Sequence, residues 1–170
     1  MPTEIVNSRL IDALKPFFVT WSAYQSGSGG AFSGAQVYNS AAQNILNNTL
    51  TTLTFNSERF DTHDFHSTVT NTDRLTIPAD GIYLVVLTIE WQQNTTGYRA
   101  AYITTSAVGK ATATDLRATA AVGPAQTVTL ITDLSAGDYL TARVLQNSGS
   151  TIAVNFSAYN SPNFSVARIG

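Results

Sequence analysis

From Phe17 onward the hydrophobic positions recur mainly at every second residue, in short runs divided by Gly, Pro, Asn and Asp clusters. Period two sends alternate side chains to opposite faces of a pleated strand, so the pattern predicts an all-β chain. FFVTWSAY (17–24) alternates Phe17, Val19, Trp21 and Ala23 against Phe18, Thr20, Ser22 and Tyr24, a strand with one buried side, and QSGSGGAFSGA follows as a flexible loop. TTLTFNSERF (51–60) turns Leu53 and Phe55 inward, and NTDRLTIP (71–78) is a short strand stopped by Pro78, with ADG as the next turn. Residues 81–94 are the most apolar: Tyr83, Val85, Leu87, Ile89 and Trp91 share one face, while Ile82, Leu84 and Val86 keep the other apolar for half its length. A central strand covered on both sides at one end is expected there.

Strands continue at YRAAYITTSA (98–107), QTVTLITDL (126–134) and DYLTARVLQN (138–147), with SAGD as a tight turn between the last two. STIAVNFSAYN is a further strand or an extended loop. NFSVARIG (163–170) runs into the C-terminus as an alternating strand, which pairing inside a sheet would keep from fraying. Eight to ten antiparallel strands on one core predict a two-sheet jelly-roll sandwich. Helical periodicity occurs once, where Val6, Leu10, Ala13 and Leu14 form a stripe that Pro16 stops. The chain therefore divides into an N-terminal arm, 1–16, and a β domain, 17–170.

Composition narrows the function classes. With 170 residues and 44% hydrophobic content, the chain can bury one core. It has no cysteine, which removes disulfides, thiolate metal sites and a cysteine nucleophile. Charged residues make up only 12% and the net charge is −2 without basic runs, so neither nucleic acid nor an anionic membrane is an expected partner. The N-terminus lacks the uninterrupted apolar run of a secretory signal, and no run of about 18 apolar residues is present to span a bilayer.

The densest chemistry is DTHDFH (61–66), which holds both histidines of the chain and two carboxylates. Asp61, His63 and Asp64 are acceptable cation ligands, but His63 and His66 are out of phase in an extended segment and no thiolate completes a closed zinc site. The structural reading is favoured: aspartates capping turns, imidazoles hydrogen-bonded or packed. GGAFSG (29–34) fits neither a nucleophile elbow nor a phosphate loop, Glu90 reads as a rim carboxylate, and the large aromatics read as core or subunit interface ahead of sugar platforms. No enzyme activity, catalytic residue, metal or cofactor is expected.

The ordered series TFNSERFDT, RLTIPADGIYLVVLTIEW, DLSAGDYLTARVLQNSG and SPNFSVARIG resembles the C1q/TNF-like jelly-roll family, especially its bacterial and phage members. Phe55 to Asp61, Pro78, Gly81 to Tyr83, Gly137, Asp138 and Phe164 carry the match. The resemblance covers roughly 17–170 and implies two five-stranded sheets and a homotrimer; the missing collagen-like stalk speaks against a complement role. Phage virions use such trimers as decoration proteins and fibre tips. With 16 residues before the first strand, the expectation is a capsid decoration protein on the virion surface, bound to the major capsid protein. The alternative is a receptor- or glycan-binding fibre tip. Ile5, Val6, Leu10 and Leu14 are the candidate capsid anchor, and Phe17, Val19, Trp21, Phe164 and Val166 are candidates for trimer interface or core.

Overall fold

A computed structural model describes residues 32–107, 123–157 and 162–170, together with the backbone of 111–117. The arm and its boundary at Pro16, its stripe of Val6, Leu10, Ala13 and Leu14, the candidate anchor residue Ile5, and the strand bearing Phe17, Val19 and Trp21 lie outside the described residues.

The described residues form twelve strands and no helix. The first sheet has the order β4 (Ser57–Asp61), β1 (Gly34–Tyr38), β12 (Asn163–Arg168), β6 (Gly81–Glu90), β9 (Ala125–Leu134). The second runs β3 (Thr51–Thr52), β10 (Tyr139–Gln146), β7 (Tyr98–Thr105), β8 (Ala111–Arg117), with β5 (Arg74–Thr76) also on β10. A two-stranded ribbon joins β2 (Gln43–Ile45) to β11 (Ile152–Val154). All pairings are antiparallel. Two five-stranded sheets match the expectation, while the total exceeds eight to ten because several pieces are only two or three residues long. β3 and β5 share one flank of β10, pairing with Val144 and Arg143 and with Thr141 to Tyr139 respectively.

Period two predicts the core well. Tyr83, Val85, Leu87, Ile89 and Trp91 are all fully buried, and Leu140, Ala142 and Val144 meet them from the second sheet. Phe55 stacks on Phe164 with centroids 5.6 Å apart, in an offset geometry that aromatic rings prefer. β12 lies between β1 and β6, so the terminal strand is indeed held on both sides; beyond it, Ile82 N donates to the Gly170 carbonyl at 2.8 Å. Gly81 is required there, because a Cβ would collide with the Arg168 side chain and the Gly170 carbonyl. Gly137 closes the SAGD turn at φ +89°, and Asp138 completes it by accepting from Ser135 N.

Three expectations change. Gly34 and Ala35, read as flexible loop, open β1: Gly34 pairs with Ala167, and Ala35 packs fully buried opposite Val166. Small residues give a weak hydrophobic signal, although both are buried here. TTLTFNSERF is not one strand but a sheet-to-sheet crossing: β3 belongs to the second sheet and β4 to the first. Between them Leu53 N bonds the Ala142 carbonyl and Phe55 N the Thr72 carbonyl, with both side chains buried. Finally, the outward side of β6 is fully buried at neither end. Ile82 is 41% exposed, and Leu84, Val86, Thr88 and Glu90 are half-buried.

Candidate functional site

The DTHDFH segment leaves the end of β4, at the edge of the first sheet, and returns through β5 to the second. Its shape is set by one carboxylate. Asp61 Oδ1 accepts from His63 N at 3.2 Å and Phe65 N at 3.0 Å, and Oδ2 accepts from His66 N at 2.8 Å. Three backbone donors on one charged acceptor fold the chain back on itself, since hydrogen bonds to ionised groups are the stronger class. Asp64 takes the left-handed conformation at φ 57°, which a short polar side chain tolerates. Phe65 then inserts into the core edge-on to Tyr83, centroids 6.3 Å apart, and its carbonyl accepts from Thr76 N at 2.6 Å.

The two histidines part company. His63 is exposed, with Nδ1 2.9 Å from Thr62 Oγ1. The His66 side chain is completely enclosed, with Nδ1 2.9 Å from Glu58 Oε1 and Nε2 3.4 Å from the Thr72 carbonyl. The fold-back thus spends Asp61 on backbone donors and His66 on Glu58. Among the described residues no three His, Asp or Glu side chains converge in a way that could hold a metal ion.

Beside this loop lies a cleft of about 580 Å³, walled by Asp64 to Thr68 on one side and by Thr70, Asn71, Arg74 and Thr76 on the other, with Glu58 at its margin. Arg74 lies over the Tyr139 ring, 4.5 Å from its centroid, with Nε 3.5 Å from Asp73 Oδ1. That Nε is buried and has no hydrogen-bond acceptor. Asn71, like Asp64, is left-handed, at φ 51°.

A second surface feature is aliphatic. On the outward side of the first sheet, Leu84 stands between Ala167 and Ile131 in register, and Val86 between Ser165 and Thr129. Ile131 is 63% exposed and Ile82 and Phe60 are each 41% exposed, all facing away from the sandwich core.

The solved structures most usefully compared share this architecture at low identity. Murine APRIL superposes with a TM-score of 0.62 at 10% identity, covering 82% of this chain and all of its own. The Eiger TNF of S. frugiperda gives 0.56 at 13% identity, covering 82% of this chain and 93% of its own. The globular domain of zebrafish complement 1qA protein gives 0.55 at 12%, covering 79% and 93%. The fold is a C1q/TNF-like jelly roll. The sequence matches no protein-family model and no curated protein, so the likeness carries the fold alone.

Within this C1q/TNF-like fold, the residues singled out from the sequence are distributed unevenly. Phe164 and Val166 point into the core of the protomer and are buried there, so they are not surface available for a subunit contact. Glu90 is half-buried at the rim, where Asn155 Nδ2 reaches its Oε1 at 3.5 Å. Trp91 is wholly buried, in keeping with a core aromatic. Sequence reasoning missed Asn71, Arg74 and Thr76 as cleft residues, and Ile131 as outward-facing. The strand alternation in QTVTLITDL carried a signal for Ile131, which falls on the polar phase with Thr127, Thr129 and Asp133.

Proposed function

We propose that the protein is a non-enzymatic structural component of a phage virion, a homotrimer that decorates the capsid and binds the major capsid protein. The observation that supports self-association is the aliphatic strip of Ile82, Leu84, Val86 and Ile131 across the outward sides of the paired strands β6 and β9. Exposed aliphatic side chains aligned across neighbouring strands are the kind of surface that association removes from water. The virion assignment rests on the ordered motifs shared with phage members of the C1q/TNF-like group. In this reading Ile5, Val6, Leu10 and Leu14 anchor the arm to the capsid.

Light scattering at micromolar concentration tests the assembly: the expected mass is three times the 18.2 kDa of the chain. Ile131→Asp should dissociate the trimer while leaving the protomer folded, because the residue lies outside the core. A monomeric wild type sinks the assembly reading. For the arm, a chain starting at Phe17 should remain trimeric and lose co-sedimentation with capsids; retained binding moves the contact to the jelly roll. The polar cleft favours a second reading, a receptor-binding fibre head, and copy number per virion separates the two, high for decoration and low for a fibre.

A further inference from the structure

We infer that the cleft between β4 and β5 is a binding site for a neutral saccharide, which it grips through adjacent hydroxyl groups. The inference does not depend on oligomeric state or on where the protein sits.

The argument begins with the polar groups the fold leaves unused. Most of the loop is internally satisfied: Asp61 by three backbone donors, His66 by Glu58 and Thr72, and Ser67 Oγ by Val69 N and Thr70 N at 3.3 and 3.1 Å. Against that background the Asp64 carboxylate, the Asn71 amide and the Thr76 hydroxyl make no hydrogen bond, and all three line the cleft. Arg74 joins them: its buried Nε is held only at ion-pair distance, 3.5 Å from Asp73 Oδ1, and its side chain is partly open to the cleft. A ligand oxygen reaching the guanidinium would make a charge-assisted hydrogen bond.

The backbone that carries these exposed groups is held in place, and among the side chains Arg74 is fixed by a ring contact. Asp64 and Asn71 occupy left-handed backbone conformations at the two ends of the loop. Phe65, between Asp64 and His66, is locked in the core. The Arg74 guanidinium rests against Tyr139. Groups fixed before a ligand arrives lose little freedom on binding.

The mixture of charges selects the ligand class. An isolated phosphate would meet Arg74 but also the Asp64 and Glu58 carboxylates. A bare cation would meet those carboxylates but also Arg74. A sugar hydroxyl both donates and accepts, so neighbouring hydroxyls can donate to Asp64, accept from Arg74 and do both with Asn71 and Thr76. The volume lies inside the range of roughly 300 to 1,000 Å³ usual for small-molecule sites.

Saturation-transfer NMR on the full chain tests this with the methyl glycosides of glucose, galactose and mannose, and with N-acetylglucosamine. Sodium phosphate and calcium chloride serve as competitors. At least one glycoside should bind, and neither salt should displace it. Asp64→Gly keeps the left-handed turn and removes the carboxylate; Thr76→Val keeps shape and strand preference and removes the hydroxyl. Asp64→Gly should weaken binding about tenfold or more, the effect of losing one hydrogen bond to a charged group. Thr76→Val should weaken it severalfold, and Thr129→Val, on the outward face of β9, should leave it unchanged. Melting curves confirm that each variant is folded. Failure of every glycoside to bind, displacement by phosphate or calcium, or binding indifferent to both cleft variants would overturn the inference. Light scattering of the same samples reads the trimer separately.

Discussion

The middle of the sandwich and its end near Trp91 are both fully buried, yet they are built from different materials. In the middle, Val85, Leu87, Val128, Val144, Phe55 and Phe164 touch with no polar atom among the side chains. At the end, Trp91 Nε1 donates to Gln126 Oε1 at 2.6 Å, and Gln126 Nε2 donates to the Arg99 carbonyl at 3.3 Å. Arg99, wholly buried and 5.8 Å from the Trp91 ring, donates to the carbonyls of Thr96 and Tyr98 at 3.1 and 2.9 Å and of Asn94 at 3.4 Å. Gln146, also buried, donates to the carbonyls of Ile45 and Ser150 and accepts from Ser148 N. The difference follows from the backbone. In the middle most of these residues lie in paired strands whose ladders take up backbone N–H and C=O groups, so side chains need only fill space. At the end the strands separate into loops whose carbonyls lose their ladder partners, and long polar side chains supply the donors.

The largest test of that contrast is Leu87→Ala. A truncation in the all-apolar middle should lower unfolding free energy by about 3 kcal/mol in a denaturant titration, through lost burial and a residual cavity. If the two ends of the core are equivalent, Arg99→Leu should behave the same way. We expect instead a smaller global loss, about 2 kcal/mol, because Thr96 and Asn94 belong to a loop whose carbonyls can turn to water and the Tyr98 carbonyl still accepts from Asn147 N. Its signature is local: amides of residues 92–98 should exchange faster while those of β6 and β12 stay protected. Burial lowers the Arg99 guanidinium from its ordinary value, so the site carries a desolvation penalty that leucine removes, which also moderates the loss.

Asp61→Ala extends the comparison to the cleft loop, where a carboxylate does for three N–H groups what Arg99 does for three carbonyls. The expected loss is about 1 to 2 kcal/mol, with the His63 to His66 amides losing protection. Equal protection in the variant would show that Phe65 alone holds the loop.

The smallest effect is Tyr83→Phe. Tyr83 Oη donates to the Ala79 carbonyl at 2.6 Å, so its removal should lower stability by about 1 kcal/mol at neutral pH. Burial raises the phenol above its ordinary value of 10.0; Arg168 and the Ala79 bond oppose the rise and Asp80 adds to it. The folded state therefore favours the neutral form. Its contribution is fully present below pH 10 and is lost as pH climbs through the raised folded value. In alkaline melts the wild type should lose stability more steeply than Tyr83→Phe, and parallel curves would refute the assignment.

How much of this was legible in the sequence depended on whether a residue's role was periodic. Period two identified β6, β7, β9, β10 and β12, and the inward faces of β6 and β10, because a half-buried strand must alternate. It missed β1 at Gly34 and Ala35, because buried small residues look like a linker. It read 51–60 as one strand, since both halves alternate, although β3 and β4 belong to different sheets. The structural reading of DTHDFH agrees with Asp61 acting as a cap and His66 being enclosed. The cleft beside it was invisible, because Asp64 and Asn71 to Thr76 are joined only through the fold-back.

The sequence by itself determined an all-β jelly roll with a C1q/TNF-like order of pieces and a core of alternating aliphatic and aromatic residues, because burying one face of a pleated strand imposes a local, countable pattern. Only the tertiary structure decided which polar groups were consumed and which were left over. Asp61 and Asp64 are three residues apart and chemically identical. One is saturated by backbone donors and the other stands unengaged at a cleft, a difference fixed by the conformations of the intervening residues and by Phe65 packing into the core.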